Sequence, residues 1–113
     1  MSRRLVVFLF LYGCAAGPQS DLQYIKQARS IAAEWAMVNA QAEQGKLTQS
    51  YVRSMHSWLV DDLRSASSSL TEPRSRYGEE IRALLAEPPD APPSRLQRHA
   101  DALKRIEKSL ESA

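Results

Sequence analysis

Apolar residues recur at steps of three and four through most of the chain after residue 20, and this spacing is the strongest constraint on the fold. In the longest such segment the positions are Tyr24, Ala28, Ile31, Trp35, Val38 and Ala42. Steps of this size place apolar side chains on one face of an α-helix, whereas a half-buried strand alternates with a period of two. No such alternation occurs after residue 20. The sequence therefore predicts an all-α domain.

Turn-forming residues divide this domain into four predicted helices. Gly45 suits the end of the first helix, Thr48 the N-cap of the second, and Pro73 prevents the second from continuing. The stretch "EPPDAPP" at 87–93 predicts a semi-rigid, extended, proline-rich linker. The predicted helices cover approximately residues 21–44, 48–70, 77–86 and 94–111.

Polar residues predict how the first and last helices begin. Ser20 or Asp21 suits the N-cap of the first helix. Ser94, with Gln97 three residues later, predicts a capping box for the last. The short connection between the first two helices places them antiparallel. We therefore expect a helical hairpin that the remaining helices extend to a small three- to four-helix bundle. The spacing also suits coiled-coil association between copies, but an intramolecular bundle needs fewer assumptions, and the oligomeric state stays open.

The N-terminal segment has a different composition. Arg3 and Arg4 precede eight apolar residues, 5–12, and small residues follow. At about 1.5 Å per residue this run covers about 12 Å, well short of a hydrocarbon core of about 30 Å. A positive start, a short apolar run and small residues instead match a secretory signal pattern. The stretch "LYGC" at 11–14 resembles the lipobox of bacterial lipoproteins.

The resemblance implies cleavage between Gly13 and Cys14 and lipid attachment to Cys14, with fatty acyl chains such as palmitate. Residues 1–13 are then a signal peptide, 14–20 a tether and 21–113 a single helical domain in the periplasm. Because Ala15 rather than Asp follows the cysteine, the outer membrane is favoured over the inner. The alternatives are an ordinary signal peptide, or a buried N-terminal helix with Cys14 in the core.

Net charge argues against a nucleic-acid partner. The chain carries 15 basic and 13 acidic residues. Arg3 and Arg4 belong to the predicted signal peptide, so the remaining chain is formally neutral. A nucleic-acid-binding domain would instead present a basic face.

Two histidines are the side chains that titrate near neutral pH. Paired across the bundle, with Asp62 or Glu34 as a further ligand, His56 and His99 would form a metal- or small-ligand-binding site. Neither has a glutamate three residues earlier, as bundle metal sites usually do. We therefore expect two partly buried, hydrogen-bonded histidines at the core margin, and no metal ion or cofactor.

Catalytic motifs are missing from the sequence. No serine lies in a Gly-x-Ser-x-Gly turn, and no glycine-rich phosphate loop is present. Asp61 and Asp62 are adjacent, so on a helix they point about 100° apart and form no catalytic pair. The sequence therefore predicts a protein that is not an enzyme.

Aromatic residues of the second predicted helix suggest where a partner would bind. Tyr51 and Trp58 lie about 100° from the main apolar face, whereas Trp35 belongs to the core face of the first helix. The two would either contact the third helix, which we favour, or form an exposed patch for a partner. Together these features predict a small lipid-anchored cell-envelope protein. Its helical domain would act as a non-enzymatic interaction or structural module for another envelope protein.

Overall fold

The computed structural model describes residues 17–113, which form four α-helices and no strand. The helices are α1 (Pro18–Glu43), α2 (Gln49–Ser68), α3 (Arg76–Leu85) and α4 (Pro93–Glu111). The long α1 packs against α2 and α4, and the shorter α3 contacts α2 and α4. This arrangement confirms the predicted all-α fold, a helical hairpin extended to a small four-helix bundle.

The α1–α2 turn forms as its sequence predicts. Gly45 has a φ of +71°, a conformation that glycine adopts without strain. Its amide and that of Lys46 donate to carbonyls of the last turn of α1, at 3.0 Å each, as in a Schellman motif. Thr48 caps α2, because its hydroxyl accepts a hydrogen bond from the Tyr51 amide at 3.1 Å. The short loop thereby fixes the antiparallel hairpin.

The core forms largely from the predicted apolar faces. Its fully or almost fully buried members include Ile25, Ala28, Ile31, Ala32, Trp35, Leu59, Leu63, Ile81, Leu84, Leu96, Leu103 and Ile106. The buried residues of α2 all lie in its C-terminal half. Val52 and Met55, whose spacing of seven and four residues from Leu59 would continue this face toward the N-terminus, are only partly buried. The N-terminal half of α2 is therefore the exposed part of the hairpin.

Asp21 does not cap α1, which begins at Pro18. Its carboxylate is instead fully buried and joins α1 to the α2–α3 loop. It accepts hydrogen bonds from the amides of Thr71 (2.8 Å) and Glu72 (3.1 Å) and from the Tyr77 hydroxyl (2.7 Å). Burial opposes ionisation, but these hydrogen bonds outweigh it and hold the pKa of Asp21 below its ordinary value.

The predicted capping box of α4 is also wrong. The helix begins at Pro93, with Pro92 as N-cap and no side-chain cap. Proline suits the first helical position because the amide it lacks would have no partner inside the helix. Ser94 therefore lies within the first turn, and the side-chain Nε2 of Gln97 donates to Asp101 Oδ1 at 3.1 Å.

Candidate functional site

Tyr51 and Trp58 are both exposed, with 49% and 59% of their surface accessible to solvent. The favoured prediction, contact with α3, is therefore wrong, because neither ring is buried there. Met55 lies between them at helical spacing, so the three side chains share one face of α2. The structure instead has an exposed aromatic patch at this position, which was the alternative prediction.

A groove of about 440 Å³ runs beside this patch, between α1 and α2. Its apolar lining is formed by Ala33, Met37, Val38, Leu47, Tyr51 and Met55. Met37 is 60% exposed and also borders a shallow depression between α1 and the start of α4. We call the exposed or partly exposed residues Met37, Leu47, Tyr51, Met55 and Trp58 the hairpin face. The first four line the groove together with polar residues such as Glu34 and Gln41, and Trp58 lies about one helical turn beyond Met55.

A second cavity, of about 550 Å³, is lined by α1, α2 and the α3–α4 linker (residues 86–92). Its lining residues are Asn39, Ala42, Glu43, Val52, Arg53, His56, Pro89 and Asp90. The His56 ring meets the Trp35 ring edge to face, with centroids 5.1 Å apart. Burial lowers the pKa of His56, which favours the neutral ring, and its Nε2 has no hydrogen-bond partner among the described residues.

The α3–α4 linker is attached to α1 rather than simply extended. A turn forms where the Ala91 amide donates to the Pro88 carbonyl at 3.0 Å. The Pro89 carbonyl accepts from Trp35 Nε1 (3.1 Å) and from Asn39 Nδ2 (3.0 Å). The same Asn39 nitrogen donates to the Ala91 carbonyl at 2.9 Å, and Ala91 is fully buried. Two α1 side chains therefore hold the linker on the bundle.

His99 lies between two carboxylates at the base of this linker. Its Nδ1 is 2.6 Å from Glu80 Oε2 of α3, and its Nε2 is 2.7 Å from Glu87 Oε2. Arg95 Nε donates to the other oxygen of Glu87 at 2.8 Å. Burial opposes ionisation of Glu87, but the hydrogen bond from His99 and the Arg95 charge keep its pKa below the ordinary value. The cluster joins α3, the linker and α4.

The two histidines have no hydrogen-bond partner in common. His99 matches the expectation of a hydrogen-bonded histidine at the core margin, whereas His56 Nε2 lacks a partner. Of the other proposed ligands, Asp62 accepts a hydrogen bond from Gln27 at 2.9 Å, and Glu34 borders the groove beside the hairpin face. Within residues 17–113, no group of three or more His, Cys, Asp or Glu side chains is arranged to hold a metal ion.

The predicted cleavage between Gly13 and Cys14 and lipid attachment at Cys14 lie outside the described residues. None of the helices within residues 17–113 combines the length and the hydropathy needed to cross a bilayer. Comparison with protein-family models, with curated proteins and with solved structures finds no match to this chain.

Proposed function

We propose that this chain is a lipid-anchored, non-enzymatic interaction module of a bacterial cell envelope, with its helical domain in the periplasm. The observation that carries the proposal is the hairpin face. Three of its side chains, Met37, Tyr51 and Trp58, are about half exposed or more. Tyrosine, tryptophan and methionine are enriched at protein interfaces, and contiguous apolar patches on soluble domains mark binding sites.

The partner that best fits this face is an envelope protein presenting an amphipathic helix. The groove lies between two antiparallel helices, the geometry in which a third helix packs its apolar face. Ala33 and Ala40 on either side of Met37 are small, so a partner helix can approach α1 closely. Met37 and Met55 are flexible and adapt to the shape of the incoming side chains.

The lipobox resemblance at residues 11–14 supports the anchor. Lipid attachment needs no spanning helix, because each buried methylene contributes about 0.8 kcal/mol and two acyl chains suffice for stable attachment. The Gly17 amide donates to Thr71 Oγ1, and Gln19 Nε2 donates to the Leu110 carbonyl. The start of α1, the α2–α3 loop and the end of α4 therefore meet at one end of the bundle, close in sequence to Cys14.

The start of α1 and the hairpin face lie toward opposite ends of the bundle. Met37 is about 30 Å from Pro18 along α1 at the usual helical rise. A lipid on Cys14 would thus hold the first end at the bilayer and present the hairpin face away from it. This separation suits a module that reaches a partner in the periplasm.

A non-enzymatic role agrees with the surroundings of the histidines. His99 has both ring nitrogens at carboxylates, and His56 packs on Trp35. Within residues 17–113, no hydroxyl or thiol is hydrogen-bonded to either ring. A histidine-activated nucleophile therefore has no counterpart in the described domain.

Site-specific photo-crosslinking from living cells tests the partner. A benzoylphenylalanine at Tyr51 or at Trp58 should give the same discrete crosslinked product. Arg64 is the control, because it is exposed on α2 but points away from the hairpin face. Equal crosslinking from all three positions, or none from Tyr51 and Trp58, would contradict the proposal.

The anchor is tested separately with the Cys14→Ser variant. We expect it to lose incorporation of labelled palmitate and to leave the membrane fraction. Ser2→Ala, also in the N-terminal segment, should retain both. A Cys14→Ser protein that still incorporates palmitate would exclude the lipoprotein assignment without affecting the hairpin face.

One observation favours a second candidate, small-ligand binding. The unpartnered His56 Nε2 belongs to a residue that lines the mostly apolar 550 Å³ cavity, where Arg53 and Asp90 supply charge. Native mass spectrometry and metal analysis of protein purified from its membrane test this candidate. A stoichiometric ligand lost in His56→Ala would support it, and protein of bare polypeptide-plus-lipid mass would exclude it.

A further inference from the structure

His99 lies between the carboxylates of Glu80 and Glu87, where α3, the α3–α4 linker and α4 meet. The ring is 14% exposed, Glu87 is 12% exposed and Glu80 is 27% exposed at their side chains. Water therefore cannot readily replace a partner that is lost. Glu80 belongs to α3 and Glu87 to the linker, so this one ring on α4 joins the two elements, and Arg95 also contacts Glu87.

With both glutamates ionised, this geometry requires two protons on the ring. A neutral imidazole has one N–H donor and one bare nitrogen acceptor, whereas a carboxylate only accepts. Carboxylate oxygens at 2.6 and 2.7 Å from the two nitrogens are both satisfied only by an imidazolium. In the neutral ring, one carboxylate would lose its hydrogen bond and face a nitrogen lone pair.

The charged groups around His99 come from three elements. They are Glu80 from α3, Glu87 from the linker, and Arg95 from α4 itself, which contacts Glu87. Among the described residues of α1, which packs along α4, no charged group contacts the ring. The α1–α4 ion pairs instead involve Glu107 and Glu111, about two and three turns further along α4.

Glu87 also influences the cavity beside His56. It lies two residues before Pro89, whose carbonyl is held by Trp35 and Asn39. Pro89 and Asp90 form the linker wall of that cavity. The linker is therefore held at its start by the charged cluster and in its middle by neutral donors from α1.

We infer that Glu80, His99 and Glu87 form a pH-dependent latch, closed when His99 carries two ring protons and weakened when it loses one. Loss of a ring proton leaves one carboxylate facing a nitrogen lone pair, so the latch loosens as pH rises. On the acid side, the lowered pKa of Glu87 preserves its charge to pH values below its ordinary titration range. When the bond to Glu87 is the one lost, the start of the linker is held by the Arg95–Glu87 ion pair alone, and the cavity wall becomes more mobile.

Hydrogen exchange of the full-length protein in detergent micelles, measured by NMR, tests the latch. The reporter is the Ala91 amide, which is bonded within the linker turn. After correction for intrinsic exchange, its protection should fall about tenfold between pH 6 and pH 8.5, as expected for one lost charge-assisted hydrogen bond. Protection that does not change with pH would overturn the inference.

Three variants distinguish the latch from general effects of pH. His99→Gln should have low Ala91 protection at both pH values, and His56→Gln should keep the parental pH dependence. Glu80→Gln should fold and stay protected at pH 8.5, because an amide can donate to the neutral ring where a carboxylate cannot. The latch is wrong if His99→Gln or Glu80→Gln retains the full parental pH dependence, or if His56→Gln abolishes it.

Discussion

At one end of the bundle, the buried Asp21 carboxylate holds the α2–α3 loop through two backbone amides and two hydroxyls. At the other, the α3–α4 linker depends on an imidazole between two carboxylates and on two donors from α1. The donors to Asp21 are backbone amides and hydroxyls, which keep their protons throughout the neutral range, whereas the linker cluster contains an imidazole. The Asp21 end therefore holds its loop with groups that do not change charge near neutral pH. The end with the cavity and the hairpin face carries the proposed latch.

The largest expected effect is that of Asp21→Ala. The buried donors from Thr71, Glu72 and Tyr77 would lose their acceptor together, so the free energy of unfolding should fall by at least about 3 kcal/mol. Urea denaturation measures this loss. His99→Gln at the other end is the comparison and should cost less, since its partners are more exposed. A loss of under about 1 kcal/mol for Asp21→Ala would refute the assigned role of the carboxylate.

Gly78 and Gly45, at the two ends of the bundle, should also differ in how well they tolerate substitution by alanine. A Cβ at Gly78 would overlap the backbone of Pro73, so Gly78→Ala should destabilise the protein by about 2–3 kcal/mol. Gly45 has open space but a positive φ, so Gly45→Ala should cost only about 1 kcal/mol of backbone strain. Thermal unfolding of both variants checks the order. The reverse order would mean that α3 does not pack on the loop as described.

The same substitution, tryptophan to phenylalanine, can be compared at buried Trp35 and at exposed Trp58. Trp35→Phe keeps an aromatic ring but removes the donor to the Pro89 carbonyl, so it should lower stability by about 1–2 kcal/mol and raise exchange at Ala91. Trp58→Phe should change stability by less than about 0.5 kcal/mol, because the residue is exposed. Equal losses would show that the linker does not depend on its bond to Trp35.

The smallest expected effect is a loss of stability at alkaline pH, at the end of the bundle that contains Asp21. Burial and the bond to Asp21 raise the pKa of Tyr77 to about 12. An unfolded tyrosine ionises near pH 10, so the stability from this shift is complete below pH 10 and is lost as pH rises toward 12. The parent should therefore lose about 1 kcal/mol more than Tyr77→Phe between pH 9 and pH 11. If urea titrations give the parent and Tyr77→Phe the same dependence of unfolding free energy on pH, the pKa of Tyr77 is not raised.

Particular residues show how far the sequence could predict this site. Tyr51 and Trp58 were recognisable because they lie off the main apolar face, but the spacing did not reveal whether α3 would cover them. His99 was placed at the core margin by its position in a 3-4 pattern. Its partners Glu80 and Glu87 lie 19 and 12 residues away and carried no local signal. Met37, Asn39 and the linker contacts were missed for the same reason, since they depend on how α1 meets a distant segment.

Asp21 and Ser94 show the opposite error, because the sequence predicted local contacts for them that the structure does not contain. Both stand near predicted helix starts and have side chains that commonly cap helices, so local sequence favoured an N-cap. In the structure each helix starts earlier, at a proline, and Asp21 finds better donors in a loop 50 residues away. Local propensity is outweighed where tertiary contacts satisfy a buried charge more fully.

The sequence by itself determined the all-α class, the hairpin with its Gly45 and Thr48 caps, and most of the buried face of each helix. These follow from helical periodicity and from turn chemistry, both of which act over a few residues. Only the tertiary structure decided that Trp58 is exposed, that the proline-rich linker binds α1, and that His99 lies between two glutamates. Such contacts depend on the positions of whole helices relative to one another, which are set by packing of the complete core.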